Sequence, residues 1–171
     1  LRRAIAEYLE RRFALRYDAE HEVIVTVGGS EAIDLAIRAL IEPGDEVVCP
    51  APYFVEYASY CGHFGGVLKT VSSKSDDFSP DIEGLAAAIT PKTRAILINS
   101  PNNPSGAVYT AAELAALGDA LRKANAGSDR PILLISDEPY RFLNFDGVEI
   151  PPVMEFFKHS AVIGSFSKNL S

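Results

Sequence analysis

Short apolar runs rich in β-branched residues alternate with helical patterns along this chain, and no other feature constrains its fold as strongly. We predict strands at residues 23–27, 46–49, 67–71, 95–99, 132–136 and 161–165. A strand that is followed by a helix and then by another strand of the same sheet makes a right-handed crossover between parallel strands. The sequence therefore predicts an α/β fold, a three-layer α/β/α arrangement with a mostly parallel sheet covered on both faces.

Helical patterns fill most of the gaps between the predicted strands. Residues 1–12 place apolar side chains at intervals of four, and residues 33–41 form an apolar stripe that ends before Pro43. Another helix is predicted to open within residues 52–60. We see no internal repeat or long linker, so we expect no domain boundary inside the chain.

Two further helix starts are marked by capping residues. Ser79 with Pro80 is predicted to cap and start a short helix, and Thr110 with Glu113 has the capping-box spacing. The helix that follows Thr110 is predicted to carry three leucines inward: Leu114, Leu117 and Leu121.

Composition excludes several classes of protein. The 171 residues are 47% hydrophobic and carry a net charge of -7, which suits a folded domain and argues against a nucleic-acid groove. We predict no membrane span, no signal peptide and no metal site. Cys49 and Cys61 are too few for a disulfide framework, so we expect reduced thiols and a cytoplasmic protein.

Both ends of the chain suggest a piece of a longer protein. The sequence opens on Leu1 inside a helical pattern and closes on Ser171, shortly after a lysine. That lysine, Lys168, follows a predicted buried strand. A buried ammonium tends to lose its proton and can then act as a nucleophile toward a carbonyl, although a lone lysine past a strand is usually solvated.

Polar clusters follow four other predicted elements. Gly28-Gly29-Ser30-Glu31 opens a helix, where free backbone N–H groups suit an anion, although a simple tight turn explains the glycines as well. Ala51-Pro52-Tyr53-Phe54 offers aromatic faces that either meet a planar ligand or pack into the core.

The other two clusters are more specific. Ser100-Pro101-Asn102-Asn103-Pro104-Ser105-Gly106 is a loop fixed by prolines, which can hold an amide toward a ligand with little ordering cost. Ser136-Asp137-Glu138-Pro139-Tyr140 puts a carboxylate at the end of an apolar strand, where its charge requires a partner unless it simply caps the next segment.

The ordered motifs G-G-S-E-A-I, A-P-Y-F, S-P-N-N-P-S-G, S-D-E-P-Y and G-S-F-S-K-N-L-S resemble the large domain of fold-type I pyridoxal phosphate enzymes, specifically class I/II aminotransferases. The resemblance covers nearly the whole chain. It implies pyridoxal 5'-phosphate as cofactor and the transfer of an amino group from an amino acid to a 2-oxo acid. It also implies that residues 1–171 are part of the cofactor-binding large domain of a homodimer, without its N-terminal segment and C-terminal small domain.

The resemblance also assigns a role to each motif residue. Lys168 would form the Schiff base with the cofactor and then move the substrate proton, and Asp137 would bind the pyridine nitrogen. Tyr140 and Asn103 would hydrogen-bond the ring 3'-oxygen, with Asn103 also near the substrate carboxylate, and Phe54 would stack on the ring. The phosphate would be held by four residues, Gly29, Ser30, Ser165 and Ser167. The Glu31 backbone would make a smaller contribution.

Other functions remain open at this stage. A β-elimination lyase shares the same carbanion chemistry, and an aminotransferase-like sensor domain of a transcription regulator would bind the cofactor without turnover. A phosphate-binding α/β domain with no Schiff base is a third alternative. Because related enzymes use arginines beyond the lysine and a tyrosine from the partner subunit, we expect the 171-residue chain alone to be inactive or nearly so.

Overall fold

A five-stranded parallel sheet lies at the centre of the described part of the chain. The structure is a computed structural model that describes residues 1–168 and 170. Its elements in chain order are α1 (Arg2–Phe13), α2 (Gly28–Leu40), β1 (Glu46–Ala51), α3 (Glu56–His63), β2 (Val67–Ser72), α4 (Ile82–Ala88), β3 (Thr93–Asn99), α5 (Ala111–Asn125), β4 (Leu133–Asp137), α6 (Val153–Phe156) and β5 (Ser160–Ile163).

The sheet has the strand order β2-β1-β3-β4-β5 and is covered on both faces, as predicted. Successive side chains of a strand point to opposite faces, so Val47 packs with α2 and α3 whereas Val48 packs with α4, α5 and α6. This double burial explains why the strands are continuous apolar runs rather than alternating ones. The three-layer α/β/α prediction is confirmed.

The capping box at the start of α5 is also confirmed. The Thr110 hydroxyl accepts from the Glu113 backbone N–H at 3.2 Å, and the Glu113 carboxylate accepts from the Thr110 N–H at 2.8 Å. These two bonds satisfy backbone donors that a helix start leaves free. The three predicted leucines of α5 are buried.

Residues 23–27 do not form a strand, so that prediction is wrong. Val23 is buried, but Ile24 and Val27 are 82% and 90% exposed, and no strand in the described residues pairs with this segment. A β-branched run favours extended backbone, but a strand exists only where a neighbour accepts its hydrogen bonds.

One predicted helix start is misplaced. The short helix α4 is capped by Asp81, whose carboxylate accepts from the Gly84 N–H at 2.9 Å, and not by Ser79. Asp81 caps the helix because it directly precedes the first helical residue and its side chain reaches the free N–H groups. The helix expected within residues 52–60 begins at Glu56. None of the helices in the described ranges combines the length and apolar character needed to cross a bilayer.

Gly118 on α5 gives a direct test of how closely α6 packs on this helix. A Cβ atom built on Gly118 would lie 2.6 Å from the Phe156 carbonyl oxygen, whereas one on Gly62 of α3 meets nothing within 4 Å. We expect Gly118→Ala to lower the free energy of unfolding by about 1–3 kcal/mol because the backbone must shift. The matched Gly62→Ala should be neutral or stabilising by up to about 1 kcal/mol, since alanine favours a helix. Urea unfolding of both variants measures the difference, and equal stabilities would contradict the packing described.

Candidate functional site

The carboxyl ends of parallel strands meet at one edge of the sheet, and the polar motifs gather there. The direction in which successive strands join the sheet reverses between β1 and β3. β2 lies on one side of β1, whereas β3, β4 and β5 follow on the other side. Ligands of open α/β sheets bind outside the carboxyl ends near such a reversal. The motifs that follow β1, β3, β4 and β5 therefore border a common site.

Asp137, the last residue of β4, is a buried carboxylate at this edge with only 6% of its surface exposed. Its Oδ2 accepts from the Tyr57 hydroxyl at 2.6 Å, and its backbone oxygen accepts from the Asn99 Nδ2 at 2.8 Å. Among the described residues, no group donates a hydrogen bond to Oδ1. A buried carboxylate with one oxygen open favours a cationic or strongly donating ligand.

Burial raises the pKa of Asp137 to about 6, because the charged form loses solvation. The hydrogen bond from Tyr57 acts in the opposite direction, and the nearby Glu138 carboxylate adds to the increase. Glu138 itself is held by Ser136 at 2.9 Å and by Arg141 at 2.7 Å. A pKa this far from the usual aspartate value is typical of a functional carboxylate.

Asn103 and Tyr140 lie together on the same edge. The Asn103 Nδ2 donates to the Tyr140 hydroxyl at 3.3 Å, and the Asn103 backbone N–H donates to the Asn99 Oδ1 at 2.6 Å. Both side chains are half-buried, so each can also meet a ligand. An amide and a phenol at this position can share one ligand oxygen.

The proline-rich loop is braced from within and against the β1 end. The Asn102 Oδ1 accepts from the Ser105 N–H at 3.0 Å and from its hydroxyl at 2.8 Å, and the Asn102 Nδ2 donates to the Pro52 carbonyl at 3.3 Å. These bonds tie the loop that carries Asn103 to the segment that carries Phe54. The half-buried Phe54 ring lies 5.6 Å from the Tyr57 ring at an interplanar angle of 79°.

The start of α2 lies beside the end of β5. Gly28 has a φ of +85°, which only glycine adopts without strain, and a Cβ on Gly29 would lie 3.7 Å from the Ser165 Cβ. The Glu31 carboxylate turns back to accept from the Val27 N–H, ahead of the first helical residue. The exposed Ser30 and the free N–H groups of this first turn can meet an anion together with Ser165.

Lys168 lies in a turn after β5 and is exposed, as is Ser167, whose N–H donates to the Ser165 Oγ at 3.2 Å. Lys168 is therefore not a buried ammonium in the described part of the chain. The physical reason is that no described element covers the sheet edge at this point. Asn169 and Ser171, which belong to the same motif, lie outside the described residues.

Sequence reasoning missed Tyr57 and Asn99. Tyr57 was one aromatic residue among several near the start of a helix. Its helical spacing to Tyr60 and Cys61 was the available signal, because residues three and four apart share a helix face. Asn99 is an amide at the end of the apolar run 95–98, and a buried polar residue at a strand end is itself a sign of a site.

The donor and acceptor types at the edge fit pyridoxal phosphate. The open oxygen of Asp137 suits a ring N–H, the Asn103–Tyr140 pair suits a ring oxygen, and Phe54 offers an apolar surface to a ring face. The start of α2 suits the phosphate. Lys168 lies in the turn after β5, the strand next to the one that carries Asp137.

The raised pKa of Asp137 makes a prediction about stability. The folded-state pKa, about 6, lies above the unfolded value of about 3.9, so this group's stabilising contribution is present at low pH and is lost between about pH 4 and 6. Asp137→Asn lacks this loss. The unfolding free energy of the variant minus that of wild type should therefore rise by about 2–3 kcal/mol between pH 4 and pH 7.5. Denaturant unfolding of the cofactor-free protein at both pH values measures this. The exposed Asp119→Asn is the control, and an equal pH dependence in both variants would contradict the burial described.

Comparison with known proteins agrees with the geometry. An amino transferase from Eubacterium rectale has a crystal structure that superposes with a TM-score of 0.94 at 36% identity, over 99% of this chain and 42% of that one. The N-succinyldiaminopimelate aminotransferase of Mycobacterium tuberculosis superposes with a TM-score of 0.90 at 40% identity, over 98% of this chain and 43% of that one. The aspartate/prephenate aminotransferase of Thermus thermophilus is 38% identical over 98% of this chain, which spans 42% of that relative's length. The family model described as aminotransferase class I and II matches residues 1–171, and its members depend on pyridoxal phosphate. The chain belongs to the class I and II aminotransferase family.

Proposed function

We propose that the full-length protein containing this chain transfers an amino group from an amino acid to a 2-oxo acid with pyridoxal 5'-phosphate as cofactor. The observation that carries the proposal is the buried Asp137 carboxylate, open at one oxygen and next to the Asn103–Tyr140 pair, at the sheet edge of an aminotransferase-family chain. When bound, the cofactor supplies an electron sink for the electrons released at the substrate α-carbon.

Asp137 and its neighbours orient the cofactor ring. The negative charge of Asp137 holds a proton on the pyridine nitrogen, which keeps the ring able to accept electrons. Tyr140 and Asn103 donate to the ring 3'-oxygen, and Asn103 also faces the substrate carboxylate. Phe54 packs on the ring and excludes water from that side.

Lys168 supplies the nucleophile and then the base. Its amine would hold the cofactor at the aldehyde carbon and, when free, would move a proton at the substrate α-carbon. Because Lys168 is exposed in the described residues, we infer that parts of the protein outside them complete its surroundings.

The start of α2 and the turn after β5 hold the phosphate. Backbone N–H groups of Gly29 and Ser30, with a smaller contribution from Glu31, donate to the phosphate oxygens, and the hydroxyls of Ser165 and Ser167 complete the set. The short distance between the Gly29 and Ser165 positions supports this, because it places both halves of the phosphate site side by side. The Glu31 carboxylate is occupied by the Val27 N–H and so does not face the dianion.

The remaining assignments concern the whole protein. We propose that residues 1–171 are part of a large domain, completed elsewhere by an N-terminal segment and a small C-terminal domain. The protein is a homodimer. Exposed apolar side chains support this, such as Phe142 and Phe145, which are 59% and 90% exposed. A cytoplasmic location is supported by two buried free thiols, Cys49 and Cys61.

The substrate is an amino acid, and the named relatives act on different ones. Product analysis with a set of amino acids separates transamination, which forms a 2-oxo acid and a new amino acid, from elimination, which releases the β-substituent. Net transfer of the amino group to a 2-oxo acid supports the proposal. Release of ammonia with the β-substituent, without such transfer, contradicts it.

Lys168→Ala tests the assignment of the covalent lysine. Borohydride reduction of the cofactor-loaded full-length protein should fix the cofactor on Lys168, as read by peptide mass spectrometry. The variant should show no such adduct and lose at least about a thousandfold in turnover, because it lacks both nucleophile and base. Lys158→Ala is the matched control, since Lys158 is also exposed but precedes β5 at the opposite edge of the sheet. An adduct retained by Lys168→Ala would refute the assignment.

A further inference from the structure

We propose that Tyr57 is a positioning residue that fixes the Asp137 carboxylate and the Phe54 ring in one rigid arrangement and keeps that carboxylate ionised. The inference rests on the proposed function, in which Asp137 and Phe54 contact the cofactor. Tyr57 itself does not touch the reacting atoms. It acts through these two neighbours.

The Tyr57 side chain is held from all sides. It is fully buried, in the core between α2, α3 and the sheet. Its ring lies 6.4 Å from the nearly parallel ring of Tyr53 and 5.6 Å from the edge-on ring of Phe54. A ring confined in this way has one orientation, and so do the hydroxyl it carries and the aromatic neighbour it supports.

The hydroxyl of Tyr57 has one described partner, the Asp137 Oδ2 at 2.6 Å. A phenylalanine would fill the same core volume without the cost of burying a hydroxyl. The tyrosine therefore indicates that the hydrogen bond to the carboxylate is what this position provides. Two residues 80 apart in sequence are joined by it, on α3 and at the end of β4.

The direction of this bond sets its electrostatic effect. Burial and the facing groups Asp137, Cys49 and Tyr140 raise the pKa of the Tyr57 hydroxyl far above neutrality, so Tyr57 only donates. A permanent donor favours the ionised form of its acceptor. It opposes burial and the Glu138 charge, both of which favour the protonated acid. Tyr57 thus keeps a negative charge on the group that faces the pyridine nitrogen.

Tyr57→Phe tests this directly because the core volume is almost unchanged. In the cofactor-free full-length protein, the Asp137 carboxyl carbon is titrated by ¹³C NMR, with its signal assigned by loss in Asp137→Asn. We expect Tyr57→Phe to raise the pKa of Asp137 by about 1, since a hydrogen bond to a charged group contributes that much. Tyr109→Phe is the control: it removes another buried tyrosine hydroxyl, from the opposite face of the sheet.

A second measurement uses the loaded protein. Tyr57→Phe should weaken pyridoxal phosphate binding about tenfold and shift the pH dependence of the bound cofactor's visible absorbance to higher pH, while Tyr109→Phe leaves both unchanged. A purely structural role would lower the melting temperature without moving either pH profile. That result, or an unchanged pKa of Asp137 in folded Tyr57→Phe, overturns the inference.

If Tyr57→Phe does not fold, 3-fluorotyrosine at position 57 replaces it. The fluorinated phenol is a stronger donor, so the pKa of Asp137 should fall, and an unchanged value overturns the inference. Failure of the proposed function is distinguished by Asp137→Asn. If that variant keeps wild-type cofactor absorbance and turnover, Asp137 is not the ring partner, whereas the titration still reports whether Tyr57 controls its ionisation.

Discussion

The arrangement of the site depends on one buried amide, that of Asn99. Its Nδ2 donates to the Asp137 carbonyl at 2.8 Å and its Oδ1 accepts from the Asn103 N–H at 2.6 Å. β3 and β4 are already paired through Asn99 and Asp137. The Asn99 amide adds hydrogen bonds beyond the end of the strand pairing and reaches the loop. These bonds therefore fix the position of Asn103 relative to Asp137.

The same edge carries a stability cost. The Asp137 carboxylate is buried and its pKa is raised to about 6, so its charge destabilises the cofactor-free fold near neutral pH. The cost is offset by the apolar clusters on both faces of the sheet, where residues such as Leu97 and Leu117 are fully buried. A rigid core therefore supports a carboxylate whose ionised form is stabilised when a cationic ring nitrogen is bound.

Much of the fold could be predicted from local pattern. The alternation of apolar runs and helical stripes predicts the crossovers, and Thr110 with Glu113 marks the start of α5 correctly because both bonds of a capping box are made within one turn. Of the two failures, one was non-local and one local. Residues 23–27 have strand propensity, but whether a neighbour pairs with them depends on chain far away in sequence. Asp81 replaced Ser79 because cap choice depends on the first helical residue, which pattern places only to within a few positions.

The sequence by itself determined the fold class, the family and the chemistry-bearing residue types, because ordered motifs such as Asp137-Glu138-Pro139-Tyr140 are local and readable. Only the tertiary structure decided which side chains act on one another. Tyr57 and Asp137 meet across 80 residues, and Asn103 meets Tyr140 across 37, through the parallel register and the packing of α3 on the sheet. Spacing along a chain carries no information about such contacts, since they form only when the strands bring their carboxyl ends to one edge.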